Sequence, residues 1–429
     1  MARHLALLLL SMASVASAAE PQQAAMRLLD RLEAGQFDEA TRDFTPEMAK
    51  AIPADKLAAV WNALPAQVGA LKQRGQPRQA DTEAHTLVVV PLHFERGDLN
   101  ALVSLDQRDR IAGLLLQPAV PPAPPLAADA GFSEREVQVA GLPGLLALPD
   151  GAGPFPAVVL VHGSGPQDRD ETIGANRPFL DVARGLAAQG IATLRYDKRT
   201  RARPQDFSGR DFGLDEETIG DAVAAVALLA VTPGIDPRRI HVMGHSQGGM
   251  LAPRIAARSG KVAGLVLWAA PARPLLDLLP EQNRYLLSLD GDYSAEDRAH
   301  VAEIERQIRV IRDGSDPSAR LIGAPASYWR DADRVNPVAD LAKLDLPVLW
   351  LQGERDFQVT RPDWDLWKKA LAGNGKAALR LYPALNHLGI AGSGPSSLAE
   401  YHQPGHVDGR LIADMAAWVR ARPGTGASP

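Results

Sequence analysis

No cysteine occurs anywhere in the 429 residues, which excludes disulfides, a thiolate metal site and a cysteine nucleophile. The 10 histidines include no His-Glu-x-x-His spacing, the pattern that sets two zinc ligands and a base on one helix face, so no catalytic metal is expected. Basic residues are not in excess: the formal net charge is −5, which gives no positive field for nucleic acid or an anionic membrane surface. No apolar run is long enough to span a bilayer. What is present, 46% hydrophobic and 23% charged residues, is ordinary for a soluble globular protein. At this length two domains are expected.

Met1 to Ala19 starts basic (Arg3, His4), runs apolar through Leu5–Leu10 and ends in small residues, Ala16-Ser17-Ala18-Ala19. This three-part pattern is that of a secretory signal peptide over 1–19, cleaved after Ala18 or Ala19. It predicts an exported protein, periplasmic or secreted, with no stable membrane anchor. Residues 20–117 read as a small α+β domain: amphipathic helices at Ala24–Ala34 and Asp55–Leu71, then strand patterns at Thr86–Phe94, Asn100–Leu105 and Arg110–Gln117. Nothing in it has a catalytic spacing, so a packing or homodimerising module is the reading it supports. Residues 118–130, with Ala119–Pro125 reading AVPPAPP, form a proline-rich linker.

From 131 to 421 short apolar strands alternate with helix-length patterns: Ala157–Val161, Ile191–Tyr196, Ile240–Met243, Val262–Trp268, Pro347–Leu351 and Ala378–Tyr382. Alternation of this kind means a mostly parallel sheet with helices on both faces, an α/β fold, with its site at the carboxyl ends of the strands. One strand end is distinctive. Gly244-His245-Ser246-Gln247-Gly248-Gly249 joins the strand Ile240–Met243 to an alanine-rich helix. That is the strand–turn–helix context in which Gly-x-Ser-x-Gly holds a nucleophilic serine in a strained turn. Gly244 and Gly248 are there because only glycine lets strand and helix approach so closely.

Other strand ends supply Asp356 and then Asn386-His387, completing a Ser–acid–His chain order. A serine hydroxyl is a weak nucleophile, so His387 must take its proton and later deliver it to the leaving group, while Asp356 orients the imidazole. The backbone N–H groups of Gln247 and of Ser164, in the turn His162-Gly163-Ser164-Gly165-Pro166, are the expected oxyanion donors. Glu354 and Asp363 compete for the acid role, and His402 and His406 for the base. Asp356 is favoured because it stands in the loop just past Gly353, whereas Glu354 is too close to the strand and Asp363 begins the next helix. His387 is favoured because it follows a strand directly, whereas His402 and His406 flank the break at Pro404-Gly405. His245 reads as a packing residue, and His162 as a brace of its loop rather than a proton carrier. Asp168, Arg169, Asp170, Asp197 and Arg199 read as loop-bracing ion pairs, with an arginine that receives a substrate carboxylate as the alternative.

Together the His-Gly-Ser-Gly-Pro turn with Asp168-Arg169-Asp170, Asp197-Lys198-Arg199, Gly-His-Ser-Gln-Gly-Gly and Asn386-His387 make residues 131–421 resemble the α/β-hydrolase superfamily. More narrowly, they resemble bacterial exported carboxylesterase and dienelactone-hydrolase-like proteins. Several of those carry an N-terminal domain of unknown function with a nuclear-transport-factor-2-like or cystatin-like shape. Dienelactone hydrolases proper use cysteine, which is absent here, so the resemblance implies a serine hydrolase. It would cleave small-molecule carboxylic esters through an acyl-serine, with no cofactor. A serine peptidase, or an acyltransferase or thioesterase, shares the acyl-enzyme step and stays as the alternative, with a non-catalytic binding module behind it.

Between about 272 and 335 the sheet pattern stops, and helical patterns at Leu275–Leu289 and Ser294–Asp313 precede Ser327-Tyr328-Trp329. In the resembled fold this position carries a cap. Trp268, Leu275, Leu276, Tyr328 and Trp329 are the candidates to line a substrate pocket; the competing reading of the cap residues is a small core of the cap itself.

Overall fold

A computed structural model describes residues 16–81, 86–119, 123–207 and 209–422. Most of the expected signal peptide, residues 1–15, and part of the linker, residues 120–122, lie outside the described residues. The chain divides into two compact units, residues 1–122 and 123–429. Among the described residues no helix is long and apolar enough to cross a membrane.

In the first unit a helix spans Ala16–Glu33 and buries Ala25, Leu28, Leu29 and Leu32, one stripe at helical spacing. Short helices Phe37–Thr41, Pro46–Ala51 and Ala54–Val68 follow. Five antiparallel strands complete it: β1 (Leu71–Arg74), β2 (Arg78–Asp81), β3 (Thr86–Phe94), β4 (Gly97–Leu105) and β5 (Ile111–Pro118). On β3, Val88, Val90, Leu92 and Phe94 point inward, the period of two that one buried face imposes. The helix expected to run to Leu71 stops at Val68 instead. Gly69 leaves the helical region at φ 81°, and Leu71 begins β1.

The second unit is built on eight strands: β6 (Phe132–Val139), β7 (Leu142–Pro149), β8 (Phe155–Val161), β9 (Ala192–Tyr196), β10 (Ile235–His245), β11 (Gly264–Trp268), then, past a short hairpin β12 (Arg320–Leu321) and β13 (Ala324–Pro325), β14 (Val348–Gly353) and β15 (Ala377–Tyr382). Their order is β15-β14-β11-β10-β8-β9-β7-β6. β8 to β11, β14 and β15 run parallel, and the hairpin β6–β7 joins β9 antiparallel. β8, β9, β11 and β14, and β10 from Ile240 on, are buried without alternation because helices cover both faces of the sheet. One face packs Met250, Leu251, Ile255, Val226 and Trp367, the other Phe179, Val182, Leu411 and Met415.

The helix expected over Glu216–Val231 begins as a π turn at Asp215–Ile219 before the α-helix Gly220–Ala230. The last helix starts at Gly409, not His406. Between β11 and β14 lie cap helices Leu275–Leu287, Ala295–Asp313 and Ala326–Asp333. Ser294 and Asp297 close a reciprocal cap at the start of the second.

Candidate active site

β10 ends at His245 and a helix begins at Gln247, leaving Ser246 alone in the turn at φ 52°, ψ −120°. A non-glycine residue held there stores about 1–3 kcal/mol of backbone strain. The surroundings enforce it. A methyl group added to Gly244 would stand 2.2 Å from the Gly248 carbonyl carbon, and one on Gly248 would stand 2.1 Å from the Val161 carbonyl oxygen. Strand, helix and the end of β8 therefore meet backbone to backbone, and Ser246 is displayed at the carboxyl edge of the sheet.

The end of β14 delivers Asp356, and the end of β15 delivers His387. A methyl group on Gly353 would fall 2.3 Å from the Leu385 carbonyl oxygen, so the two loops lie against each other. His387 Nδ1 is 2.8 Å from Asp356 Oδ2, which leaves Nε2 as the nitrogen free to exchange a proton. Oδ2 also accepts from Gln352 Nε2 at 2.9 Å, and Oδ1 accepts from the Gln358 and Val359 N–H groups at 2.8 and 3.0 Å. Both oxygens of this buried carboxylate are thus saturated by donors, and it cannot swing away from the imidazole. Asn386 Oδ1 accepts from Leu388 N and Ile390 N, fixing the loop that carries His387.

Gly163 and Ser164 follow β8. A methyl group on Gly163 would meet the Ser246 Cβ at 3.2 Å, so this turn lies directly beside the serine. Gln247 opens its helix, and its backbone N–H is among those a helix leaves without an internal partner. The Gln247 side chain donates to the Tyr328 hydroxyl at 2.5 Å.

The competing residues fall elsewhere. Glu354, His402 and His406 are exposed; His406 pairs with Asp181. Asp363 is buried against Arg273 and the Ala272 and Arg273 N–H groups. Arg169 pairs with Asp197 and Glu136, and Arg195 with Asp170 and Glu134. Arg199 pairs with Asp221, and Asp168 accepts from the Asp170 and Thr172 N–H groups. These are loop braces.

His245 does more than fill space. Its ring lies 4.4 Å from Trp268 and 4.7 Å from His387. Its Nδ1 is 2.9 Å from Glu171 Oε2, and its Nε2 is 3.0 Å from the His387 carbonyl oxygen. Burial alone would lower the His245 pKa, but the charge and hydrogen bond of Glu171, the His387 carbonyl and the Asp356 charge together outweigh it and raise the value above the ordinary imidazole range. Conversely, burial works to raise the Glu171 pKa, and the adjacent imidazoles and the Gly163 N–H hold it below the usual range. Sequence reasoning missed Glu171, since one acid after two aspartates in a loop carries no pattern. Burial drives His162 down to about 4, so it stays neutral, packed on Phe179 and Tyr196.

A cavity of about 500 Å³ reaches the Ser164 turn and is bounded by Phe212, Leu279, Ile322, Tyr328 and Trp329, with Thr200 and Glu217 as polar wall. Of the five pocket candidates, Tyr328 and Trp329 line it. Trp268, Leu275 and Leu276 do not. Trp268 is buried on His245, while Leu276 is sunk in the main core with Leu275 packed against it. On that helix the cavity is met by Leu279, three residues on from Leu276. The two share a helix face, and the step of one turn along the axis decides this.

A nucleophile elbow and an acid–histidine pair at the carboxyl edge of an eight-stranded sheet define a hydrolase of the α/β class. The model of the alpha/beta hydrolase family matches residues 158–399, and the chain belongs to that family. It is similar to esterase EstD from Thermotoga maritima, 36% identical over 400 residues that cover 92% of this chain and 95% of that one. It is also similar to an uncharacterized peptidase, YtmA, from Bacillus subtilis, 24% identical over 51% of this chain and 69% of that one. Among solved structures, the Pyrococcus furiosus esterase Pf2001 aligns with a TM-score of 0.45 at 15% identity, over 72% of this chain and 98% of that one. A family model described as a protein of unknown function (DUF3887) matches residues 25–114.

Proposed function

We propose that this alpha/beta hydrolase cleaves small-molecule carboxylic esters through an acyl-serine formed at Ser246. His387 Nε2 takes the Ser246 proton as Oγ attacks the ester carbonyl, and gives it to the departing alcohol. Water then enters by the same route in reverse and releases the acid. The charge on the tetrahedral oxygen falls to the Gln247 and Ser164 backbone N–H groups, each such donor being worth about 3 kcal/mol in the transition state. The observation that carries this reading is the Asp356–His387 contact of 2.8 Å at the same sheet edge as the strained Ser246. The esterase relative, matched over nearly its whole length, supports the ester as substrate over other acyl compounds. Export to the periplasm or medium belongs to the same reading, on the strength of the pattern in residues 1–19. So does a homodimer through the first unit, where Val60 and Leu115 are exposed.

A fluorophosphonate probe on the purified protein, read by intact mass, tests the nucleophile. One adduct on the wild type and none on Ser246→Ala is expected, with turnover of a p-nitrophenyl ester lost in parallel. A folded wild type that takes no label and turns over no ester sinks the proposal.

A further inference from the structure

Lys198 lies in the Asp197-Lys198-Arg199 run that follows β9, and it is 2% exposed. Its Nζ is 2.5 Å from Glu217 Oε1 and donates to the Gly163 carbonyl oxygen at 2.8 Å. It also approaches Gln247 Oε1 at 3.4 Å. Glu217 comes from the π turn at Asp215–Ile219, and its other oxygen accepts from Thr218 Oγ1. A single buried ammonium thus touches the side chain of one oxyanion donor, Gln247, and the backbone carbonyl of Gly163, the residue just before the other donor, Ser164.

The Gly163 carbonyl belongs to the same planar peptide unit as the Ser164 N–H. In a trans peptide these two groups point in opposite directions. Fixing the carbonyl on Lys198 therefore fixes where the Ser164 N–H points, and a cation at the oxygen end polarises the unit so that the N–H is a stronger donor. The preceding peptide is held too, because Glu171 Oε1 accepts the Gly163 N–H at 2.6 Å. Gly163 has no side chain to stiffen the turn, and a methyl group there would press on Ser246 and Glu171. Its orientation has to come from outside.

We infer that Lys198, held by Glu217, is a positioning residue that orients the Gly163–Ser164 peptide, so that the Ser164 N–H faces the oxygen that becomes charged during ester cleavage. The inference rests on the acyl-serine reading above. A buried ion pair is by itself weak evidence for stability, since desolvation opposes the attraction. Its position on the turn beside the nucleophile gives it another reason to exist.

The test compares the full-length wild type, Lys198→Met, and the double variant Lys198→Met/Glu217→Gln. Each is assayed on a p-nitrophenyl ester and on its thiono counterpart, in which sulfur replaces the carbonyl oxygen. Sulfur accepts hydrogen bonds poorly, so a well-aimed donor favours the oxygen ester. Expected for both variants is a kcat on the oxygen ester lower by about 30- to 100-fold, below or just reaching the roughly 10²- to 10³-fold cost of removing an oxyanion donor outright, because here the donor stays and only its aim is lost. KM should stay within about threefold, and the oxygen-to-sulfur preference should fall at least about tenfold, on the same argument. Should the single variant fail to fold because Glu217 is left unpaired, the double variant, which buries no charge at this pair, carries the test. Wild-type turnover with equal losses on both esters, or with no loss, overturns this inference alone. A wild type inert toward ester and probe overturns the acyl-serine reading and this inference with it.

Discussion

Among the described residues the first unit buries one polar side chain, Thr45, which caps a short helix. The second unit buries many, and Glu171, His245, Lys198, Glu217, Gln352, Asp356 and His387 among them lie in or beside the loops at the carboxyl ends of its strands. Each of these side chains costs free energy to desolvate, and each has at least one polar partner within reach. An apolar core needs only volume and alternation, as β3 and β4 provide. A polar cluster this dense is instead a set of directional contacts around one edge, and it coincides with the strained serine. The contrast separates a unit whose sequence specifies packing from one whose sequence also specifies chemistry.

The sharpest way to break that contrast is to change one polar atom in the second unit. Asp356→Asn keeps the shape but presents an NH₂ group or a neutral oxygen to His387 Nδ1, favouring the wrong tautomer. Turnover of a p-nitrophenyl ester should fall about 10³- to 10⁴-fold, while the melting temperature moves little. A loss below tenfold would mean that the contact at 2.8 Å does not serve the reaction.

The converse change is Leu92→Ala in the first unit, where Leu92 is fully buried. It should cost about 2–5 kcal/mol in the denaturant unfolding of that unit. Ester turnover under native conditions should stay within about twofold, since nothing directional is lost. If turnover collapsed, the first unit would share in the chemistry.

Legibility followed the same division. Ser246, Asp356 and His387 are readable because each stands just past a strand with an apolar run, and the elbow has a local signature enforced by backbone contact at Gly244 and Gly248. Most strands of both units are readable from their apolar runs, but β2 and the hairpin β12–β13, which have none, are not. β1 was lost inside a helix because Leu71 continues the helical spacing and only the conformation of Gly69 breaks it. Glu171, Lys198 and Glu217 were not legible as partners, for their meeting depends on loops and a π turn that no periodicity announces. In the cap, Leu275, Leu276 and Leu279 are alike in sequence and share one helix face, and only the step of one turn along the axis brings Leu279 to the cavity.

The cap offers a smaller test of whether apolar packing can set specificity. Trp329 lines the cavity and is held by its indole N–H, which donates to the Leu321 carbonyl at 2.8 Å. Trp329→Ala should raise KM about tenfold for an ester with an aromatic acyl group, the scale of one aromatic contact surface. It should leave an acetyl ester within about twofold. Equal changes on both esters would remove the cavity from the substrate's path.

The smallest effect expected is one of pH, and it concerns a polar group of the second unit that lies away from the cavity. His241 sits on β10 with its ring edge against Trp418, its Nδ1 3.1 Å from the Arg239 carbonyl. Burial pushes its pKa down to about 4 from 6.5, so the folded protein holds it neutral where the unfolded chain already binds a proton. Stability is then full above the unfolded value and declines as pH falls from 6.5 toward 4, where the folded state begins to accept the proton too. His162, lowered to about 4 as well, adds a second decline in the same window but stands beside the active site. His241→Gln removes one titration without touching that site. Between pH 7 and pH 5.5 the wild type should lose about 1 kcal/mol more than the variant in urea unfolding, from the one group. Parallel losses in the two proteins would show that the proton enters the folded His241 freely, and that this imidazole is not held neutral by burial.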